Sequence, residues 1–367
     1  MPIWNRRRFM NTTNPSCLVV HLIPTNAIGG VEIAAASIES GQHGALYLEK
    51  YFLASNPSFD NSESKDCYGP EASLNNFRVY LAAIRRVLRT KPDLIVASLW
   101  RSVLVMIICK LLRPSLKTVV FLHNTDTAHQ VDRVINAIGV RLATQVWTDS
   151  NATFKARLGP KLQQKGKVIS FLLDQSHSVE RSAITPNFIF WGRLRKQKNV
   201  SRSVKLFRKI HEIYSEASFR IIGPDGGDET NVASTICNLE LKEAISMMGP
   251  MAHPEISDAS KSASFYLQTS DHEGMSMAVV EAMQFGLIPV VTPVGEIAHY
   301  CKDGVNAIFI KDDESVVAAI KTLLDDPERG KAIAKSAIDT WRGVSLYRED
   351  FVRFSCELLA CHINQAD

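Results

Sequence analysis

No CxxC pair occurs among the seven cysteines of this 367-residue chain (Cys17, Cys67, Cys109, Cys237, Cys301, Cys356, Cys361), and their number is odd. Both facts speak against a zinc ribbon and against a disulfide framework, so a reducing, cytoplasmic setting is expected. No apolar run approaches the about 20 residues of a membrane-spanning helix: the most apolar stretch, 103–112, is short and carries Lys110. Any membrane contact is therefore expected to be peripheral. The basic start MPIWNRRRF leads into the polar NTTNPS rather than into the apolar stretch of a secretory signal, so export by that route is not expected. Charge of neither sign dominates, since 42 Lys and Arg face 38 Asp and Glu, and a net +4 is too slight for a surface that wraps nucleic acid. Internal repeats, low-complexity tracts and a DxD triplet are also missing, the last being the usual short signature of a metal-bridged diphosphate.

What is present is a globular composition, 46% hydrophobic and 22% charged, in a chain long enough for two domains. Short β-rich runs alternate with helical stretches throughout, the pattern of parallel sheets covered by helices on both faces. Strands are expected at 17–23, 45–53, 94–98, 118–123, 145–148 and 168–172, then from 188 and at 219–222, 264–268, 288–291 and 307–310. The polar, aperiodic 174–186 separates the two series and reads as a linker. This gives an N-terminal domain over 1–180 and a C-terminal domain over 181–367, with a final helix near 346–360 free to pack on either.

The segment DHEGMSMAVVEAM follows the strand-like SFYLQTS and places Glu273 and Glu281 eight residues apart. A helix starting near Met275 turns its free N–H groups toward the strand tip, where they suit a diphosphate, and Gly274 admits a ligand close to the backbone. At ~1.5 Å rise per residue the two carboxylates stand roughly 12 Å apart, too far for a glycosidase pair but suited to the two ends of an extended ligand. The plainer reading makes Glu273 a dipole-complementing residue and Glu281 a solvated helix position.

FIFWGRLRKQKN ends a strand at Gly192 and sends Arg193 and Lys198 from its tip, placed to neutralise a diphosphate; a solvated basic loop with Arg195 and Lys196 is the alternative. Gly29 and Gly30 stand between a strand and a helix, as a phosphate-facing turn or a plain one, and are not the GxGxxG of a dinucleotide site. His123 and Gly223 each close a strand at the edge where open α/β sheets place ligands, although taken alone a structural histidine and an ordinary turn are the plainer accounts of them. Arg78, Arg85, Arg86, Arg89 and Lys91 crowd a helical stretch with Leu81, Ile84 and Leu88, which suits an anionic membrane or an ordinary solvated helix face.

Taken together, Gly29 and Gly30, His123, GRLRKQKN and the 273–281 segment resemble the retaining glycosyltransferases of family 4. The resemblance implies an α/β GT-B fold, two facing Rossmann-like domains with parallel sheets and a deep cleft between them. It further implies that Arg193 and Lys198 hold the donor diphosphate, Glu281 the ribose and Glu273 the transferred sugar. Backbone groups at Gly274, Met275, Ser276 and Met277 would meet sugar and phosphates, with Gly192 and Gly223 at the nucleotide, the Gly29–Gly30 loop over the diphosphate and His123 beside the sugar. The 249–253 loop, including Met251, would face the base. Met275 and Met277 depart from the residues common in the family, so sugar choice is expected to differ.

The implied reaction moves a hexose from a nucleotide-diphosphate donor, UDP-sugar favoured, to a glycan or glycolipid acceptor of surface polysaccharide or lipopolysaccharide synthesis. It uses no metal or other cofactor, retains the anomeric configuration and involves no nucleic acid. The expected location is the cytoplasm, with peripheral contact at the cytoplasmic face of the inner membrane. A nucleotide-sugar 2-epimerase and a non-catalytic sugar-nucleotide-binding subunit are the rival readings.

Overall fold

Strand sequences such as LIVAS (94–98) and IPVV (288–291) are apolar at almost every position, as strands covered on both faces must be, and every one of these residues is buried. A computed structural model describes residues 17–26, 30–55, 65–127, 129–175 and 183–361. The chain divides into two units, Met1–Leu173 with Ser345–Asp367, and Asp174–Val344. Residues 176–182, the middle of the expected linker, lie outside the described residues, as does Gly29.

The first unit carries β1 (Cys17–Thr25), β2 (Gly41–His43), β3 (Leu46–Ala54), β4 (Cys67–Tyr68), β5 (Leu94–Ser98), β6 (Lys117–Leu122), β7 (Gln145–Thr148) and β8 (Gly166–Val168). Its sheet runs β2-β3-β1-β5-β6-β7-β8, with β4 on β3, and only the β2–β3 pair is antiparallel. The connecting helices are α1 (Gly30–Ala36), α2 (Phe77–Thr90), α3 (Leu99–Leu112), α4 (Gln130–Leu142), α5 (Asn151–Arg157) and α6 (Pro160–Gln163). The second unit has β9 (Asn187–Trp191), β10 (Ser218–Ile222), β11 (Ile245–Gly249), β12 (Phe265–Gln268), β13 (Ile288–Val291) and β14 (Ile308–Phe309), all parallel in the order β11-β10-β9-β12-β13-β14. Its helices are α7 (Val200–His211), α8 (Glu229–Asn238), α9 (His253–Ser260), α10 (Met277–Gln284), α11 (Ile297–Tyr300), α12 (Asp313–Asp325) and α13 (Pro327–Trp341). The last helix, α14 (Tyr347–Leu359), groups with the first unit.

The strand expectations change in four places. The alternating ISMMG forms β11, which its polar flanks concealed, and the short β2 and β4 extend the first sheet. The apolar run expected as a strand over 168–172 is not one: β8 ends at Val168, Ile169 N–H still donates to the Thr148 carbonyl of β7 (2.9 Å), and beyond it α14 takes hydrogen bonds of the backbone. Ser170 N–H donates to Asp350 Oδ2 (2.8 Å) and Tyr347 N–H to the Leu172 carbonyl (2.7 Å).

α14 covers the sheet face that bears His21, Ser98, Phe121 and Trp147. The Phe351 ring lies 5.2 Å from that of His21 and 5.3 Å from that of Trp147, and Tyr347 stacks on Phe121 at 6.1 Å. Beneath it, Ser98 Oγ lies 2.9 Å from His21 Nε2 and 3.0 Å from His123 Nε2. A hydroxyl has one hydrogen, so one imidazole must donate to Ser98 while the other accepts from it. Burial pushes both imidazoles down to about 3 and keeps them neutral, the second histidine adding to the effect at His21.

The acid stability of the first unit follows. Unfolded histidines take up protons near 6.5 while the folded ones do so near 3, so the unfolded state binds more protons and stability falls as pH drops below about 6.5. Each histidine contributes a slope of about 1.4 kcal/mol per pH unit. Urea unfolding between pH 7.5 and 5 is expected to show a shallower acid loss in His21→Gln than in the parent chain.

Candidate functional site

The order of the second sheet reverses between β9 and β12, which pair with each other while their crossovers run to opposite sides. Loops leaving the carboxyl ends of two such strands diverge and open a crevice, the usual ligand position in open α/β sheets. The loop after β9 begins at Gly192 and continues through Arg193 and a single 3-10 turn, Lys196–Lys198, into α7. The loop after β12 runs from Thr269 through Glu273 and Gly274 into α10, two residues later than the start expected near Met275.

The two loops are bound to each other. Asp271 N–H donates to the Gln197 carbonyl (2.9 Å), Gln197 Nε2 to the His272 carbonyl (2.7 Å), Asn199 Nδ2 to Asp271 Oδ1 (3.1 Å) and the Thr269 hydroxyl to the Asn199 carbonyl (2.6 Å). This stitching brings Lys198 Nζ to 2.8 Å from Glu273 Oε1, with the lysine side chain 19% exposed and the glutamate 6%. Gln268 Nε2 lies 3.3 Å from the same Glu273 oxygen and donates to Ser276 Oγ at 2.9 Å. The Tyr266 hydroxyl lies 2.9 Å from Gln268 Oε1 and 3.1 Å from the Trp191 carbonyl, and the Glu273 carboxylate, which only accepts, fixes the amide with Nε2 toward it. Glu273 thus has both a charged and a neutral donor.

Glu281, one turn into the helix, accepts the Trp191 indole N–H at 2.9 Å, and His253 Nε2 stands 3.7 Å from its other oxygen. Ser276, the N-cap of α10, is held in the left-handed region at φ 55°, an uncommon conformation for a side-chain-bearing residue. The first N–H groups of α10 have no intrahelical acceptor and carry the positive end of the helix dipole.

Two glycines let the neighbouring loops, after β10 and β13, pack against these. Gly223, at φ +144°, packs on the strand end so closely that a Cβ there would fall 2.0 Å from the Gly192 carbonyl oxygen. Gly295, at φ +58°, supports the other side, where a Cβ would fall 2.0 Å from the Glu273 carbonyl oxygen.

The structure therefore gathers Gly192, Lys198, Gly223, Glu273, Gly274, Met275, Ser276, Met277 and Glu281 at one sheet edge. Arg193 directs its stem toward Gly226 in the loop after β10, and Met251 lies in the loop after β11, further along that edge. His123 and Gly30 belong to the first unit: His123 follows β6 with Nδ1 buried and no hydrogen-bond partner among the described residues, and Gly30 opens α1 at the surface. Sequence reasoning passed over Trp191, Tyr266 and Gln268, and took His253 only as the end of the 249–253 loop. The buried glutamine ending the apolar run FYLQ was a visible signal, because a buried amide requires partners.

The matching part of the chain is this second unit: residues 176–340 fit the sequence profile of the glycosyl transferases group 1 family. They form a group 1 glycosyl transferase domain. The chain is 25% identical over 172 residues to an alpha-monoglucosyldiacylglycerol synthase of Acholeplasma laidlawii, covering 47% of this chain and 42% of that one. It is 31% identical over 126 residues to the amylovoran biosynthesis glycosyltransferase AmsD of Erwinia amylovora, covering 34% and 32%. The matches thus span less than half the length of either relative. A crystal structure of Anabaena HepE with UDP and glucose superposes with a TM-score of 0.76 at 16% identity, covering 93% of this chain and all of that one. The fold is GT-B, an α/β architecture of two Rossmann-like units.

Two outcomes test the group 1 domain's geometry. Gly223→Ala is expected to cost about 2–4 kcal/mol in urea unfolding, through both the contact with Gly192 and the backbone strain, whereas Gly304→Ala, at φ +71° in open space, should cost only about 1. Glu281 raises the His253 imidazole above its ordinary 6.5, so their attraction is present at pH below 6.5 and is lost as pH climbs through the raised value. An NMR titration should find His253 titrating lower in Glu281→Gln than in the parent chain.

Proposed function

We propose that this chain is a retaining glycosyltransferase that transfers a hexose from a nucleotide-diphosphate donor to a glycan or glycolipid acceptor in surface-polysaccharide or lipopolysaccharide synthesis. The observation that carries this reading is the Lys198–Glu273 pair beside the start of α10. A donor diphosphate set against the first N–H groups of α10 meets positive charge from the helix end, from Lys198 and from Arg193. Lys198 then exchanges Glu273 for phosphate, and Gln268 remains as the donor to the glutamate. Glu273 is left to accept from hydroxyls of the sugar, and Glu281, already oriented by Trp191, from those of the ribose.

In the reaction the bond from the anomeric carbon to the diphosphate oxygen breaks and one to the acceptor oxygen forms. The acceptor's proton passes to the departing phosphate on the same face, and nucleoside diphosphate leaves. The charge that grows on the diphosphate is met by Lys198, Arg193 and the helix end, so no metal ion is invoked. A UDP-sugar is the favoured donor, in keeping with the UDP bound by HepE. A glycolipid-type acceptor agrees with the name of the Acholeplasma relative.

The first unit supports peripheral contact with an anionic bilayer at the cytoplasmic face. α2 exposes Phe77 (71%), Leu81 and Leu88 among Arg78, Arg85 and Arg89. Arg86 does not join them, because it turns inward to Glu49 at 2.9 Å and to the Cys67 sulfur. α3 packs between α2 and α4, and α4 exposes Val131, Val134, Ile138 and Leu142. The one acidic residue in these three helices, Asp132, is buried against Asn136. Apolar side chains set among arginines suit the headgroup region of such a membrane. Among the described residues no helix is long and apolar enough to cross one.

A panel of nucleotide sugars tested by thermal shift identifies the donor, since a ligand that binds only the folded state raises its melting temperature. With that donor, Lys198→Gln keeps a hydrogen bond for Glu273 but removes the charge, and should lower turnover about 100-fold or more with little loss of stability. Equal turnover in parent and variant, or epimerisation of the donor without acceptor, overturns the assignment. Co-sedimentation should favour phosphatidylglycerol over phosphatidylcholine vesicles and weaken in Arg85→Glu/Arg89→Glu; equal binding to both lipids removes the membrane contact.

A further inference from the structure

Cys17 opens β1 and Cys361 follows the end of α14, and their Sγ atoms stand 2.9 Å apart. That is within 1 Å of the about 2.05 Å of a covalent S–S bond. We propose that this pair is a disulfide-forming site that closes on reaction with a small-molecule disulfide and fastens the end of α14 to the first strand.

The approach of the two sulfurs is built by the surrounding backbone. Cys17 N–H donates to the Ala45 carbonyl at 3.0 Å, which fixes the strand start. On the other side, Ala360 takes a left-handed turn at φ 55°, and Cys361 N–H donates to the Cys356 carbonyl at 3.0 Å. Two lysines of the sheet hold the last turn of α14: Lys117 Nζ donates to the Leu358 carbonyl at 2.6 Å, and Lys167 Nζ lies 3.6 Å from a Glu357 carboxylate oxygen.

The other cysteines are placed differently. Cys109, Cys301 and Cys356 are buried, Cys67 accepts a hydrogen bond from Arg86, and Cys237 is exposed in the second unit. Cys17 and Cys361 are each partly open to solvent, as reaction with a small oxidant requires.

In the first step one protein thiolate attacks a sulfur of the small disulfide, forming a mixed disulfide and releasing one small thiol. The second protein thiol gives up its proton, attacks the protein sulfur of the mixed disulfide and expels the second small thiol. Two protein thiols are oxidised and one small disulfide is reduced to two thiols. Burial, and then the neighbouring Cys361, push the Cys17 thiol up to about 12, so attack by Cys17 is slow at neutral pH and quickens as pH rises.

The closed bond would join residues 344 apart in sequence, and it would hold the one part of the first unit that the chain reaches only after completing the second. A crosslink across so long a loop restricts the unfolded chain strongly.

The test treats the full chain with oxidised glutathione at pH 8.5, blocks remaining thiols and maps peptides without reduction. The expected result is a linked Cys17–Cys361 peptide, a fall in titratable thiols from seven to five, and a melting temperature several degrees above that of the reduced chain. Cys17→Ala and Cys361→Ala should each lose the linked peptide and the rise, while Cys237→Ala keeps both. Stable glutathione adducts on either cysteine, a link from Cys17 to Cys356, or unchanged thiols overturn the proposal. None of these readouts uses glycosyl transfer.

Discussion

The pairing of β9 with β12 is the constraint on which the second unit depends. Because the strand order reverses there, the chain must leave the two adjacent strands in opposite directions, and the loops at their carboxyl ends enclose space rather than pack into it. Hydrogen bonds from Gln197, Asn199 and Thr269 tie the loops across that opening, and Gly223 and Gly295 let the flanking loops after β10 and β13 approach their backbones to distances no side chain allows. An ammonium and a carboxylate, contributed by segments far apart in sequence, consequently meet at one edge.

A largely buried glutamate is costly unless its charge is met. Glu273 is met twice, by Lys198 and by the Gln268 amide. That redundancy gives a physical meaning to the pair: if the lysine turns away, the amide still keeps the carboxylate from being stranded. Glu281 is treated alike, with an indole N–H on one oxygen and an imidazole near the other.

The first unit is organised around a different constraint, the return of α14. Tyr347 and Phe351 cover the sheet face that carries the two neutral imidazoles sharing Ser98, and the backbone of 170–172 turns from the sheet to serve this helix. The same docking sets Cys361 against Cys17 and leaves the opposite face, with α2, α3 and α4, to meet its surroundings with apolar side chains and arginines.

The sequence by itself determined the parallel α/β architecture, because strands buried on both faces must be apolar at almost every position, as LIVAS and IPVV are. It also placed Glu273, Gly274 and Lys198 at strand ends, since turn glycines and a helix start are local signals. The hydrophobicity of 168–172 misled for a physical reason: a strand and a segment that packs under a helix bury the same side chains and differ only in where their hydrogen bonds go. Arg86 looked like its neighbours on α2 until Glu49 was seen to hold it. Trp191 and His253 acquired their roles only from Glu281, far away in the chain, whereas Gln268 finds Glu273 and Ser276 five and eight residues on, once the loop after β12 has folded back. Local pattern records periodicity and turn chemistry, whereas hydrogen-bond and charge partners are chosen by long-range packing, and only the tertiary structure decided those.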